Sequence, residues 1–403
     1  MVGHVDSRTM EHEVAEQGVR QAEDRLVHLN TAGAGLMPDT VRAAMEACIA
    51  REAAIGCYET EVSLDDLLQG EVYQRLARAI GAPVEDVALF DSATRAWCAV
   101  VPKLRLGPAD RVWVTPYEYA GNLISLFSLR DRTGCRIEVV PTLPGGDLDL
   151  EWMAAHIADD VALVSVTHIP SGCGIVNPVE EIGRILAPYR CFYAVDACQS
   201  IGQVPVDVSR IGCQLLTGAG RKFMRGPRGT GFAYVAPRLR EALITDFHDL
   251  HVAHVDSPTS YRVTDTSARG LELAERTTAA VAGLNAALTL FESGSPFDHK
   301  DVFRALRDTV ERTPGIELIA PGEVQSGIVS FRHADIPADE IRRRLGERRI
   351  NVWKIVGNHT PLYMAERGVE TAVRASVHYY NTVEEIETFG RALREIVGAG
   401  SRS

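Results

Sequence analysis

Positive charge is in short supply in this sequence: Lys and Arg number 42 against 54 Asp and Glu, a formal net charge of −12. That balance excludes a broad electrostatic grip on nucleic acid or on an anionic membrane surface, both of which need clustered cations. Long apolar runs are also missing, and nothing approaches the ~18 continuous apolar residues of a membrane span. The first 24 residues, ending "VAEQGVRQAED", are polar and lack the apolar core of a secretion signal. The expectation is a cytoplasmic protein with a polar N-terminal arm over 1–24. The 8 cysteines, at 48, 57, 98, 135, 173, 191, 198 and 213, form neither a CxxC pair nor a Cys/His spacing suited to zinc. They read as reduced thiols, with no metal site expected, and none follows Cys213. Internal repeats and low-complexity tracts are absent.

What is present is ample for two domains: 403 residues with 46% hydrophobic content and 24% charge. After "HLNTAGAGLMP" (28–38), an irregular turn, "DTVRAAMEACIAREAA" reads as a helix with Asp39 or Thr40 as its cap. From 85 to 235 short apolar runs ("DVALF", "RVWVTP", "CRIEVVP", "VALVSVTHIP", "CFYAVDA", "CQLLTG", "GTGFAYVAP") alternate with helical intervals. That alternation predicts an α/β domain around a mostly parallel sheet. Residues 266–294 read as one long helix leading to a smaller α+β C-terminal domain. The expected division is 1–24, 25–285 and 286–403, with the tail "GAGSRS" frayed.

In such sheets ligands sit beyond the carboxyl ends of the strands, so the residues that end each run carry the information. Asp196 ends the apolar run "CFYAVDA". A helix cap or a salt bridge would explain it if it stood by itself. Gln199 follows three residues later, however, and Lys222 comes after one further strand-like run, in "TGAGRKFMRGPRGTGFAYV" (217–235). "DSATRAW" (91–97) places a small-residue turn at a helix start, offering Ala93, Thr94 and Arg95 to an anion. Arg221 beside the lysine adds a charge-assisted contact. An acid, a lysine and phosphate anchors at successive strand ends fit pyridoxal phosphate, which needs a Schiff-base lysine, an acid at its ring nitrogen and a phosphate site.

These motifs resemble the class V aminotransferase superfamily, the fold-type I pyridoxal-phosphate enzymes that include the cysteine desulfurases, over roughly residues 28–395. "VDACQSIG" is similar to its Asp-x-x-Gln segment, "GRKFMRGPRGTGF" to its lysine loop and "VRASVHYYNT" to its substrate-carboxylate segment. The resemblance implies Lys222 as the Schiff-base lysine, Asp196 at the ring nitrogen, Gln199 near the phenolic oxygen and Arg374 on the substrate carboxylate. A planar guanidinium suits that last role. Tyr119, in "TPYEYAGNLIS", falls where desulfurases carry a histidine stacked on the cofactor. A phenol can stack too, but it is a poorer base at neutral pH. Ser171, in "HIPSGCGIVNP", stands where that group has an asparagine. The resemblance further implies a homodimer with shared active sites, in which Arg276 or Thr277 reaches the partner's phosphate and "GCYETE" (56–61), with Tyr58, lies near the substrate entrance.

A cysteine desulfurase needs a mobile cysteine in its C-terminal domain to carry away sulfur. Here "NVWKIVGNHTPLYMAERGVE" (351–370) offers Trp353, Lys354, His359 and Tyr363 instead. The motif set is most similar to the branch that contains the C–S lyase of ergothioneine biosynthesis and also resembles isopenicillin N epimerase. The expected activity is therefore β-elimination from an S-substituted cysteine or its sulfoxide, giving a thiol, pyruvate and ammonia in natural-product biosynthesis. Decarboxylation with oxidative deamination, epimerisation and transamination are the alternatives, and a binding protein without turnover is disfavoured by the intact Asp196, Lys222 and Arg374 set.

Overall fold

The computed structural model describes residues 26–244, 248–294 and 299–400; the expected arm over 1–24 lies outside them. In chain order the strands are β1 (Val27–His28), β2 (Val87–Phe90), β3 (Arg111–Val114), β4 (Arg136–Val139), β5 (Val161–Thr167), β6 (Phe192–Asp196), β7 (Leu215–Ala219) and β8 (Gly231–Val235). Seven of these make one sheet in the order β2-β8-β7-β6-β5-β3-β4. Pairings from β4 through β7 are parallel, and only β8 runs antiparallel to its neighbours β7 and β2. The mostly parallel sheet expected from the alternating runs is thus observed.

Alternate side chains of each strand point to opposite faces, and both faces are covered. Val87, Trp113, Tyr193, Val195 and Phe232 enter one apolar cluster. Their neighbours Ala88, Val112, Val114, Ala194 and Ala233 enter the other. This two-sided burial is why the strands read as near-continuous apolar runs. Beyond the exposed hairpin of β9 (Ala253–Ser257) and β10 (Ser260–Val263), the chain builds β11 (Ile316–Leu318), β12 (Ile328–His333), β13 (Ile350–Asn351), β14 (Trp353–Val356) and β15 (Thr371–Ser376). Four of them form an antiparallel sheet, β11-β12-β15-β14, backed by the helices Lys300–Glu311, Ala338–Glu347 and Val383–Gly400. β1 pairs with β13, and Val27 and Leu29 pack into this smaller core. Farther along the same segment Gly35 N donates to Arg221 O at 2.9 Å, in the β7–β8 loop, which ties the two sheets together.

Three local expectations change. The helix after Pro38 spans Asp39–Ile55, with Pro38 itself at the cap position and no side-chain cap; Asp39 lies within the first turn. Residues 266–294 are not one helix: a short turn at Ala268–Leu271 is followed by extended chain, and the helix runs Thr278–Ser293. The break follows from Glu272, which turns inward to accept from the Tyr73 hydroxyl and from the Leu89 amide at 2.7 Å. The tail expected to fray is helical through Gly400, and its last three residues lie outside the described set. Among the described residues no helix is long and apolar enough to cross a membrane.

Candidate active site

A cavity of about 190 Å3 opens at the carboxyl ends of β5, β6 and β7. The chain's lysines are Lys103, Lys222, Lys300 and Lys354, and Lys222 lines this cavity. Its loop leaves β7 at Ala219 and returns at Gly231, closed by Gly226 N donating to Gly220 O at 2.7 Å and by Gly220 N donating to Thr230 O at 3.1 Å. Arg225 within the loop takes φ 59°, a left-handed conformation costing a non-glycine residue about 1–2 kcal/mol. Three contacts hold it there: Nε to Leu36 O at 2.8 Å, a terminal nitrogen to the Tyr379 hydroxyl at 2.7 Å, and stacking over the Tyr380 ring.

Lys222 is enclosed by protein, and that desolvation holds its amine below the usual lysine range. Cys198 and Asp196 oppose this shift, while the positive charges of Arg221 and Arg374 reinforce it. More of its amine is therefore in the neutral, nucleophilic form than for a lysine in water.

One end of the cavity is built for an anion. The helix Ala93–Val100 begins there, with Ser92 Oγ capping Arg95 N at 3.2 Å, so that free N-terminal amides and Thr94 face the space. Gly231 permits this geometry: a Cβ on it would lie 2.2 Å from the carbonyl carbon of Ser92. Arg221 lines the same end and donates to Gly33 O at 3.0 Å. At the other end Asp196 is buried, accepting from Asn122 Nδ2 at 3.0 Å and from Cys198 N at 2.9 Å. Gln199 donates to Ala32 O at 3.0 Å, which leaves its buried Oε1 without a partner. Tyr119, 39% exposed, forms part of the cavity wall together with Ser171.

Arg374, on β15, is buried and held by Ser171 O at 3.3 Å and Asn30 Oδ1 at 3.2 Å. Its Nε has no partner, and among the described ion pairs no carboxylate meets it. Burial, with Arg221 adding repulsion, lowers it to about 10, so it stays cationic at neutral pH. A buried cation without a counter-ion is costly unless an anion arrives, which makes it an anion site. His359, whose Nδ1 lies 3.1 Å from Val356 O, sits within electrostatic reach of both Arg374 and Lys222; burial lowers its pKa, leaving a neutral imidazole.

The structure thus gathers Ala93, Thr94, Tyr119, Ser171, Asp196, Gln199, Arg221 and Lys222 around one cavity. Arg374 adjoins this cavity through its bond to Ser171 O, and His359, Arg95, Arg276, Thr277 and Tyr58 do not line it. The Arg95 side chain turns into the neighbouring cavity, along with Arg276 and Thr277. Arg276 is engaged within its own chain by the Tyr73 hydroxyl at 2.7 Å, by Leu68 O and by Glu272. Tyr58 is 75% exposed on the short helix Cys57–Ser63, away from the cavity of its own chain. Asn30, Glu118, Asn122 and Cys198 were not singled out in the sequence. Asn122 alone carried a signal, lying one helical turn after Tyr119.

The profile of the Aminotransferase class-V family matches residues 27–389. The chain belongs to that family. A probable cysteine desulfurase of Methanothermobacter thermautotrophicus is 31% identical over 357 residues, covering 86% of this chain and 87% of the relative. A probable cysteine desulfurase of Pyrococcus abyssi is 28% identical over 72% of each chain. Among solved structures, the apo cysteine desulfurase of Thermococcus onnurineus NA1 superposes with a TM-score of 0.83 at 24% identity, covering 93% of this chain and 95% of that one. An Escherichia coli cysteine desulfurase gives 0.84 at 20%, covering 94% and 96%. The class V fold is therefore that of the fold-type I enzymes, and the protein is a pyridoxal-phosphate-dependent enzyme. Its residues fit that cofactor: an anion cradle, an enclosed lysine, a buried carboxylate and an orphaned amide oxygen meet in one cavity.

Proposed function

We propose that this class V enzyme is a C–S lyase that converts an S-substituted cysteine, or its sulfoxide, to a sulfur product, pyruvate and ammonia. The observation that carries this reading is the state of its thiols. A desulfurase route needs a thiolate to attack the substrate sulfur. No cysteine follows Cys213 in the sequence. The thiol that does line the cavity, Cys198, is pushed far above the usual range by burial and by the adjacent Asp196. It stays protonated and is a poor nucleophile.

Pyridoxal phosphate bound in the cavity supplies an electron sink for negative charge at the substrate Cα. The Ala93–Val100 helix start, Thr94 and Arg221 would anchor its phosphate, Asp196 would hold a cationic ring N–H, and Gln199 and Tyr119 would contact the ring. Arg374 takes the substrate carboxylate as a two-pronged donor, with Asn30 and Ser171 O setting its plane. Lys222 Nζ takes the Cα proton. The Cβ–S bond then breaks with its electron pair on sulfur, the departing sulfur gains a proton, and water converts the three-carbon fragment to pyruvate and ammonia. Neither oxidant nor reductant is required. His359, within electrostatic reach of Arg374 and Lys222, is the candidate to meet the sulfur substituent. The family's cysteine desulfurase relatives share C–S cleavage, and the motifs favour a place in sulfur-containing natural-product assembly.

The same reading includes a homodimer in which Arg276, Thr277 and Tyr58 serve the neighbouring site. Exposed apolar groups support it: Ile49, Ile55, Tyr58 and Val62 crowd the surface of two consecutive helices. Incubation of the holoenzyme with a panel of cysteine S-conjugates tests the activity. Equal amounts of pyruvate and free thiol support elimination. Alanine with the R–S group left on the protein as a mixed disulfide overturns it, carbon dioxide with oxygen uptake replaces it by oxidative decarboxylation, and an inverted but intact substrate replaces it by epimerisation.

A further inference from the structure

Asp196 is not the only acid beneath the cavity. Glu118, in the turn between β3 and the helix Ala120–Thr133, is 0% exposed, and no cation pairs with it among the described ion pairs. Hydroxyl groups meet it instead. Ser165 Oγ donates to Oε1 at 3.0 Å and Thr167 Oγ1 to Oε2 at 3.0 Å, both from the same face of β5. Asn122, four residues along, also bonds to Glu118 and donates to Asp196 Oδ2 at 3.0 Å. The result is a continuous row of carboxyl, amide and carboxylate that ends at the cavity floor.

An apolar residue would fill this space at lower cost, because an unpaired buried carboxyl is expensive even with two hydroxyl donors. Its position one residue before Tyr119 and one amide away from Asp196 gives that cost a use. We infer that Glu118 is a positioning residue whose charge, relayed through Asn122, strengthens the hold of Asp196 on a cationic N–H in the cavity. The inference rests on the reading that Asp196 faces the ring nitrogen of the cofactor.

The groups facing Glu118 are few. β6 presents Asp196 and Tyr193, β5 the uncharged Ser165 and Thr167, and its own helix Asn122. Burial raises its carboxyl to about 7, opposed by the Thr167, Ser165 and Asn122 bonds and reinforced by the Asp196 charge. Above that pH the row carries a second negative charge and favours the cationic N–H. Below it Glu118 is neutral and the extra hold is lost.

The test uses holoenzyme loaded with pyridoxal phosphate labelled with nitrogen-15 in the ring, so that the ring shift reports protonation directly across pH 6 to 8. Wild type shows a step near pH 7, and Glu118→Gln, which keeps the shape but not the charge, loses it. Ser165→Ala removes one donor to the charged form and moves the step to higher pH by about one unit, a second readout if the glutamine variant does not fold. A step unchanged in both variants overturns the role of Glu118. A ring shift unaffected by Asp196→Asn instead overturns the assignment of Asp196, and this inference falls with it.

Discussion

Asn30 and Arg374, 344 positions apart in the chain, are joined by a 3.2 Å hydrogen bond from the guanidinium to the amide oxygen. The contact joins the segment that follows β1 to a strand of the smaller sheet, at the wall of a cavity that belongs to the larger one. It orients a buried cation that no carboxylate of the described chain neutralises, leaving the pairing to the substrate.

Replacing Arg374 by Ala removes a charge-assisted pair worth about 1.5–3 kcal/mol, so kcat/KM for an amino-acid substrate falls roughly 10- to 100-fold. Arg374→Lys keeps the charge but loses the fork, so it recovers only part of the loss. Steady-state kinetics with the amino acid and with its decarboxylated amine separate the effects, because the amine is expected to be indifferent to both substitutions.

Lys222→Ala removes the visible absorbance of the bound cofactor and lowers turnover by at least about 100-fold, the lower end of what a positioned proton-transfer group contributes. An absorbance spectrum of the variant after cofactor addition checks this. The same band retained at full strength would place the covalent attachment elsewhere.

Gly231→Ala puts a methyl group 2.2 Å from the Ser92 carbonyl carbon, backbone that cannot rotate away. Overpacking of this kind costs about 1–3 kcal/mol. Because the displaced backbone starts the anion-binding helix, cofactor affinity falls about 10-fold together with the melting temperature, as a fluorescence titration and a thermal melt report.

Acid weakens the fold through two buried histidines. Burial lowers His168 to about 4 and His378 to about 3, the latter against a bond to Phe223 O and with His299 and Arg225 adding repulsion. Their folded values lie below the ordinary 6.5, so below that pH the unfolded chain binds protons the folded one refuses. Stability is full above pH 6.5 and falls toward pH 4 by about 1.4 kcal/mol per unit for each histidine. Urea unfolding at pH 7, 6 and 5 measures the slope, and His378→Gln reduces it.

Cys198→Ala leaves pyruvate formation in place, since its protonated thiol has no step to perform and its backbone amide still serves Asp196. Loss of sulfur release in this variant, measured with a thiol reagent, would make Cys198 the acceptor that the proposed route lacks.

Much of the site was legible because neighbouring strands convert sequence spacing into geometry. Asp196 pairs in register with Thr167 on one side and Thr217 on the other, so residues that end consecutive apolar runs must meet at one edge. Asp196 and Lys222 were found that way, whereas Ser171 was named from the family resemblance. Side-chain direction on helices and loops is not encoded by spacing, which is why Arg95 and Arg276 turned out to face the neighbouring cavity. Glu118 gave no signal, because an acid in a loop reads as solvated until the packing of β5 and β6 around it is known. The expectation of one helix over 266–294 failed for a similar reason: the inward turn of Glu272 depends on Tyr73, 199 positions away.

The most direct measurement is the identity of the three-carbon product from a cysteine S-conjugate, determined by mass spectrometry alongside the released sulfur compound. The account predicts pyruvate in one-to-one ratio with that compound and no sulfur left on the protein. Alanine as the carbon product, with the R–S group held on a cysteine of the chain as a mixed disulfide, would contradict it.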